Sequence, residues 1–345
     1  MQVSTIGIDL AKNVFQVHGV DEQHKVVLVR QLRRSQVFDF FGKLAPCLVG
    51  MEACATAHHW ARELTKLGHT VRLIPPAYVK AYVKRQKNDA ADAAAICEAV
   101  TRPSMRFVPV KSTEQQATLA VHRTRALLIS QRTQLINALR AHLAELGIVA
   151  EEGRDGLAKL IAIISQNSTL QSLPSAMLDA LQCLVAQLAA LQRQIGELDR
   201  CLQAQHRASD TSRRLESVPG IGVIGATALA ATVTDASVFK SGRDLAAWIG
   251  LVPRQNSTGG KQRLGSISKQ GDRYLRRLLV AGAMAVVQHA RRHPEKHPWI
   301  IKLLARKSAK LVAVAVANKL ARIAWAIMAK GGTYRAPTPA LVAAA

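Results

Sequence analysis

Eight apolar residues, Met177, Leu181, Leu184, Leu188, Leu191, Ile195, Leu198 and Leu202, recur at alternating intervals of four and three. Only an α-helix brings positions so spaced onto one line, and nearly four heptads of them require a long helix with a narrow apolar seam. Such a seam must be covered. A second copy of the chain would make a coiled coil and hence an oligomer; a partner helix from the same chain would make a helical hairpin. Both coverings satisfy the pattern.

Upstream the periodicity is different. Residues 3–10, 14–20, 26–32, 47–51 and 70–74 read as short β-runs, the last stopped by Pro75-Pro76, while 36–44, 58–67 and 89–100 read as helices. The order β-β-β-α-β-α-β-α suits a mixed sheet flanked by helices. From Ser112 the pattern turns helical, with Ser112-Thr113-Glu114-Gln115 as a capping box for a helix reaching about Leu146. At 345 residues the chain has room for about two domains. The expected organisation is an α/β domain over 1–150, a helical or coiled-coil spacer over 151–212, a mostly helical basic domain over 213–330 and a tail over 331–345.

Charge then narrows the function. The chain carries 47 Lys and Arg against 23 Asp and Glu, a net of +24. Residues 241–345 hold 19 of those cations against only Asp244, Asp272 and Glu295. A basic segment of this kind points to a polyanion, nucleic acid before anionic membrane. The longest clean apolar run, 278–287, is ten residues, half of the ~20 that a span needs, so no membrane role is expected. The opening Met-Gln-Val-Ser-Thr lacks a basic and then apolar leader, and the five cysteines form no CxxC, so a reduced, cytoplasmic protein is expected. With 49% apolar residues, wholesale disorder is excluded.

Against the basic background four carboxylates stand out. Asp9 and Glu52 each follow an apolar strand, and Asp89 and Asp92 share one face at the start of a helix behind Asn88. Taken singly, each has an ordinary reading as a strand end or as a first-turn acid favoured by the helix dipole. Taken together, two strand ends and a helix start can converge on one spot in a mixed sheet, and hard oxygen donors suit Mg²⁺. A pair of such ions can clamp the attacking and leaving oxygens of an in-line phosphodiester displacement.

The basic domain carries two further candidates. Leu215-Glu-Ser-Val-Pro-Gly220-Ile-Gly222 before an Ala-rich helix has the form of a helix-hairpin-helix, whose Gly220 and Gly222 would present backbone N–H groups to a phosphate. Residues 251–263 read as an irregular loop in which Ser257 is followed by Thr-Gly-Gly and flanked by Arg254, Lys261 and Arg263. That serine can be a nucleophile on phosphorus or one more group in a polar loop that neutralises phosphates; the residues alone leave both open. Beyond it, Asp272 is placed to cap a helix with Arg273, Arg276 and Arg277 on one face. His293 and His297 have ligand-like spacing, but Pro294 and Pro298 make a turn of them, and neither a zinc site nor an ATP-binding P-loop is expected.

The motifs also carry a resemblance. Gly7-Ile8-Asp9-Leu10-Ala11-Lys12, Met51-Glu52-Ala53 and Lys87-Asn88-Asp89-Ala90-Ala91-Asp92-Ala93 resemble the three motifs of the DEDD-type insertion-sequence transposases, bacterial recombinases with a RuvC-like, ribonuclease-H-type N-terminal domain. Gly250-Leu-Val-Pro-Arg254, Ser257-Thr-Gly-Gly-Lys261 and Ile267-Ser-Lys-Gln-Gly-Asp272 resemble the C-terminal domain of the same family. The resemblance implies Mg²⁺ on Asp9, Glu52, Asp89 and Asp92, and a serine that attacks DNA to form a phosphoserine link. That serine falls on Ser257, with Thr258 as the alternative. It further implies donor and target DNA as substrates, a structured guide RNA encoded by the element, and a dimer or tetramer. One departure is visible: Cys54-Ala55 follows Glu52-Ala53 where many relatives have a small polar residue and then Gly. Two other readings stay open, a RuvC-like metal-dependent endonuclease without a covalent intermediate and a non-catalytic nucleic-acid-binding scaffold.

Overall fold

The computed structural model describes residues 2–83, 88–166 and 174–336. Lys87 of the third acidic motif, most of the polar stretch 165–174 and the prolines of the tail lie outside the described residues. The chain divides into two compact units, Met1–Thr113 and Glu114–Ala345.

The first unit is a five-stranded mixed sheet. Its elements are β1 (Thr5–Leu10), β2 (Val14–Val20), β3 (Val26–Arg33), α1 (Val37–Gly42), β4 (Leu48–Glu52), α2 (Ala57–Lys66), β5 (Thr70–Ile74), α3 (Pro76–Val79) and α4 (Asp89–Val100). The strand order is β3-β2-β1-β4-β5, with β1, β2 and β3 antiparallel and β1, β4 and β5 parallel. Alternation along each strand sends side chains to opposite faces. Ile6, Ile8, Val49 and Met51 pack with Phe41 of α1 and Trp60, Ala61 and Leu64 of α2. The other face is built for close approach. A Cβ on Gly7 would overlap the Ala93 carbonyl and the Cys97 amide and lie 2.8 Å from the Cys97 Cα, and one on Gly50 would lie 2.8 Å from the Val100 Cβ. These two glycines, paired in register across β1 and β4, let the Ala-rich α4 lie against the strands themselves.

The second unit is mostly helical. It runs through α5 (Thr113–Ala144), α6 (Arg154–Gln166), α7 (Ser175–Ala208), α8 (Asp210–Glu216), α9 (Val223–Thr232), α10 (Gly242–Ile249), a two-stranded hairpin β6 (Pro253–Gln255) and β7 (Leu264–Ile267), α11 (Arg273–Arg292), α12 (Pro298–Leu304) and α13 (Ala309–Lys330). The heptad seam lies on α7, with Leu181, Leu188, Leu191, Ile195 and Leu202 buried. Part of its cover comes from the same chain: Leu181 shares a core with Leu139 and Leu143 of α5 and Leu160 and Ile164 of α6. Arg125 of α5 also pairs with Asp199 of α7. From Arg125 to the Leu139–Leu143 turn is about 24 Å along α5, and from Asp199 back to Leu181 is about 27 Å along α7. The two helices therefore run antiparallel as a hairpin.

The remaining helices pack around α13, whose Val312, Ala313, Val316, Ala317, Leu320, Ala321, Ala324 and Ile327 enter one core with Leu245 and Ile249 of α10 and Leu275, Leu279, Ala283 and Val287 of α11. On length and composition alone α7 and α13 could each cross a membrane. The apolar residues of α13 line this core, and those of α7 form the seam.

Replacing Gly7 by alanine forces α4 off β1, because the α4 backbone at Ala93 and Cys97 meets the new methyl. The expected cost is about 1–3 kcal/mol of stability in the first unit, measured by denaturant unfolding followed on the sheet signal. Gly42, which has open space around it, is the control position and should tolerate alanine.

A second prediction concerns His122, which is 1% exposed and joins three helices of the second unit. Its Nε2 is 3.1 Å from Thr227 Oγ1 on α9 and its Nδ1 is 3.0 Å from the Tyr274 hydroxyl on α11. Burial, with a smaller push from the Arg125 guanidinium, lowers its pKa to about 4. The unfolded chain takes up a proton near pH 6.5 that the folded chain refuses, so this contribution is complete above pH 6.5 and is lost as pH falls towards 4. Between those limits the unfolding equilibrium should shift by roughly tenfold per pH unit from this group. Thermal unfolding of wild type and His122→Gln across pH 4–7 reads the difference, and the variant should show the flatter profile.

Candidate functional site

The four acids are placed by the same close packing. Asp9 lies two residues beyond Gly7 and Glu52 two beyond Gly50, so both sit on the sheet face that α4 covers, at the carboxyl ends of neighbouring parallel strands. The register pairs Ile8 with Met51, and Asp9 and Glu52 each follow directly on that pair. Helix α4 runs antiparallel to β1, with the Cys97 thiol donating to the Thr5 carbonyl at 3.7 Å and Ala93 against Gly7. Its N-terminus therefore lies at the end where Asp9 and Glu52 stand. From Gly7 to Asp9 is about 7 Å of strand, and from Ala93 back to Asp89 about 6 Å of helix. The Asn88 side chain caps α4 by accepting from the Ala91 amide at 2.8 Å. Asp9, Glu52 and Asp92 are partly buried and Asp89 is exposed.

Among the described residues no three His, Cys, Asp or Glu side chains stand close enough together to hold a metal ion by themselves. The donor set nonetheless fits Mg²⁺, a hard ion that retains waters and takes one or two protein carboxylates, with substrate phosphates completing its shell. Neither thiol nor imidazole is part of the set, so a softer transition metal has no preferred donor in it.

The segment around Ser257, expected as an irregular loop, is framed by a short β-hairpin and forms an arm. Pro253 pairs with Ile267 and Gln255 with Leu264, and Thr258 bridges to Lys261 at the tip. Alternating exposed residues across a narrow ribbon gave no apolar period to read as strand, while the positive φ angles of Gly259 and Gly260, +53° and +75°, close the turn. Ser257 is exposed, and its Oγ accepts from the Arg263 amide at 3.1 Å and from Gln255 Nε2 at 3.2 Å. Two donors on one hydroxyl oxygen favour negative charge there, while attack still requires a group that takes the serine's proton. Arg254, Lys261 and Arg263 are exposed on the same arm.

At the base of the arm, Asp272 caps α11 through the Tyr274 and Leu275 amides at 2.7 and 2.9 Å. Arg276 Nη1 donates to the Ile249 and Gln270 carbonyls, each at 2.7 Å, so this guanidinium staples the arm to the turn after α10. Arg273 and Arg277 are exposed, and Arg277 lies over the Tyr274 ring. Helices α8 and α9 flank the turn 217–222, in which Gly220 has φ +92° and Gly222 is the extended N-cap of α9. Gly220 also has a packing role: a Cβ there would lie 2.8 Å from Val286 Cγ2 and 2.9 Å from the Gly282 carbonyl of α11.

Two further clusters lie in the second unit, the first without any sequence-local signal and the second joining His289 to the His293 and His297 pair. His206 Nδ1 lies 2.8 Å from Ser212 Oγ and its Nε2 lies 2.9 Å from Glu216, an order of groups familiar from hydrolases. Ser212 is wholly buried, and the set fastens α7 to α8. His289 Nδ1 lies 3.0 Å from His297 Nε2, with His293 stacked beside it over the 3₁₀ turn Pro294–Lys296.

Comparison with known proteins gives the family. Residues 6–148 match the model for the DEDD transposases of the IS110 type, and residues 212–298 match that for the transposase IS116/IS110/IS902 family. A probable family 20 transposase of Pseudomonas aeruginosa is 53% identical over 97% of this chain and 99% of its own. The transposase for insertion sequence element IS1328 of Yersinia enterocolitica is 41% identical over 96% and 98%, and that for IS1111A of Coxiella burnetii is 39% identical over 96% and 92%. Both acidic and serine-bearing segments fall within the matched regions, and the chain belongs to the IS110 family of DEDD insertion-sequence transposases.

Proposed function

We propose that the chain cuts and rejoins the DNA of its own insertion sequence through a covalent link to Ser257, in a cytoplasmic reaction that requires Mg²⁺. The observation that carries this reading is the Ser257 hydroxyl, exposed on a cationic arm with two hydrogen-bond donors aimed at its oxygen. Thr258 is the alternative by motif position, but its backbone is taken up in the bridge at the tip. The 1–150 region would be RuvC-like, with Asp9, Glu52, Asp89 and Asp92 as the residues that hold Mg²⁺. When bound, the ion supplies charge stabilisation for phosphoryl transfer.

The chain's own part is nucleophilic. Ser257 Oγ attacks phosphorus, a P–Oγ bond forms, and one backbone P–O bond breaks. The departing deoxyribose oxygen gains one proton as the serine loses one, so the exchange balances without a co-reactant. Attack by a different strand's hydroxyl on the phosphoserine reverses the step and frees Ser257. The bond energy of the phosphodiester is conserved, and strands rejoin without ATP. Arg254, Lys261 and Arg263 offset the charge on the transferring phosphoryl group. Arg273, Arg277 and the Gly220–Gly222 turn contact phosphates that position the duplex, while Arg276 contributes by fixing the arm. A guide RNA and a dimeric or tetrameric assembly complete the proposal; the net charge and the α7 seam are compatible with both.

The test is a denaturing gel after incubating the protein with Mg²⁺ and DNA carrying the element with its flanks. A covalent protein–DNA adduct is expected for wild type and Thr258→Ala, and none for Ser257→Ala or Asp9→Ala. Strand cleavage without an adduct, undiminished in Ser257→Ala, would replace the serine reaction with metal-dependent hydrolysis. DNA binding without cleavage in any variant would leave a scaffold.

A further inference from the structure

A groove of about 980 Å³ runs through the second unit beside the serine arm. One wall is a stripe of α13: Leu311, Ala315, Lys319 and Arg322 are exposed and follow one another at intervals of three or four residues. From Leu311 to Ala326 this wall is about 22 Å long, more than a single metabolite needs. Facing it are Arg243 at the start of α10 and Trp299 on α12. The groove lining contains Arg243, Lys319 and Arg322 and no Asp or Glu. Trp299 is 42% exposed, with Lys319 Nζ 4.7 Å from its ring centroid, and Leu311 is 59% exposed.

Cations in a row would suffice for a duplex, which offers phosphates and hides its bases. An exposed indole and an apolar side chain inside the same groove add what an unpaired strand offers, a base face to stack on while phosphates meet the cations. The position of the groove says which strand. Pro253 and Ile267, paired with each other at the root of the hairpin arm, both line it. Ser257 lies four residues beyond Pro253, about 13 Å of extended chain. We infer that this groove holds an unpaired segment of the DNA strand adjoining the phosphate that Ser257 attacks, with a base stacked on Trp299 and its phosphates on Lys319, Arg322 and Arg243. The inference rests on the DNA-cleaving reading above for the identity of the strand, while the groove's chemistry stands apart from it.

The experiment is fluorescence anisotropy of a labelled 12-nucleotide single-stranded DNA, the same sequence as duplex, and the same sequence as RNA, titrated with full-length protein. Ser257→Ala is the background, so that cleavage does not contribute. Trp299→Ala should weaken the single strand by about tenfold and the duplex by less than twofold, and Trp299→Phe should restore most of the loss. Arg322→Gln should lower the salt dependence of single-strand binding by about 0.7 in slope. Thermal melting of each variant verifies folding. Equal losses for single strand and duplex, no loss in Trp299→Ala, or a folded Trp299→Phe as weak as the alanine variant would overturn the inference. RNA bound tenfold more tightly than DNA would overturn the assignment to DNA. If the adduct assay fails while the Trp299 effect holds, the groove survives and the serine reaction does not.

Discussion

The contact on which the acidic site depends is α4 laid directly on the sheet: at Gly7 the helix backbone meets β1, and at Gly50 the Val100 side chain rests on β4. Glycine at both positions costs conformational entropy in the strands, and the return is a helix that approaches closely enough for its first turn to share an end of the sheet with Asp9 and Glu52. Every later feature of the acidic group follows. The two-residue period of the strands turns the acids to the same face as the glycines, and the antiparallel run of α4 brings Asp89 and Asp92 to that end. Asn88 then fixes where the helix begins.

Much of this was legible before any coordinates. The β-runs, the Asp89–Val100 helix and the mixed sheet could be read because strand and helix periods differ, and Pro75-Pro76 stops β5 unmistakably. The four carboxylates stand out in the sequence as candidates because they fall at element ends in a basic chain. The two glycines that let α4 approach β1 and β4 were not legible, since a glycine in a strand gives no sign of what approaches it. Of the stretch read as an irregular loop, only Pro253–Gln255 and the Thr258–Lys261 bridge are regular, and they went unread because exposed polar ribbons lack the apolar alternation that marks a half-buried strand. The seam of α7 told of a long helix and not of its partner: the same 4-3 spacing serves α5 of the same chain as well as a second copy.

The second unit shows how a basic chain organises its cations. Arg276 is used internally, holding the arm to the turn after α10. Arg254, Lys261 and Arg263 remain exposed on the arm, and Lys319 and Arg322 line the groove at its root. Buried His122 ties α5, α9 and α11 together, so α11, which follows the arm in the chain, belongs to a body whose helices are joined by both packing and hydrogen bonds. In the proposed serine reaction rigid mounting would matter, because an attacking oxygen displaced by an ångström loses much of its rate advantage.

In the proposed reaction Asp9, Glu52 and the first turn of α4 would hold a divalent cation in the presence of substrate phosphates. Mn²⁺ reports on it directly, because the free ion has an electron paramagnetic resonance signal that fades on binding. Full-length protein saturated with DNA should bind Mn²⁺, and Asp9→Asn and Glu52→Gln should each weaken that binding by at least about tenfold, since each removes a charged ligand. Mn²⁺ binding of equal strength in wild type and both variants, or none in any of them, would contradict the account.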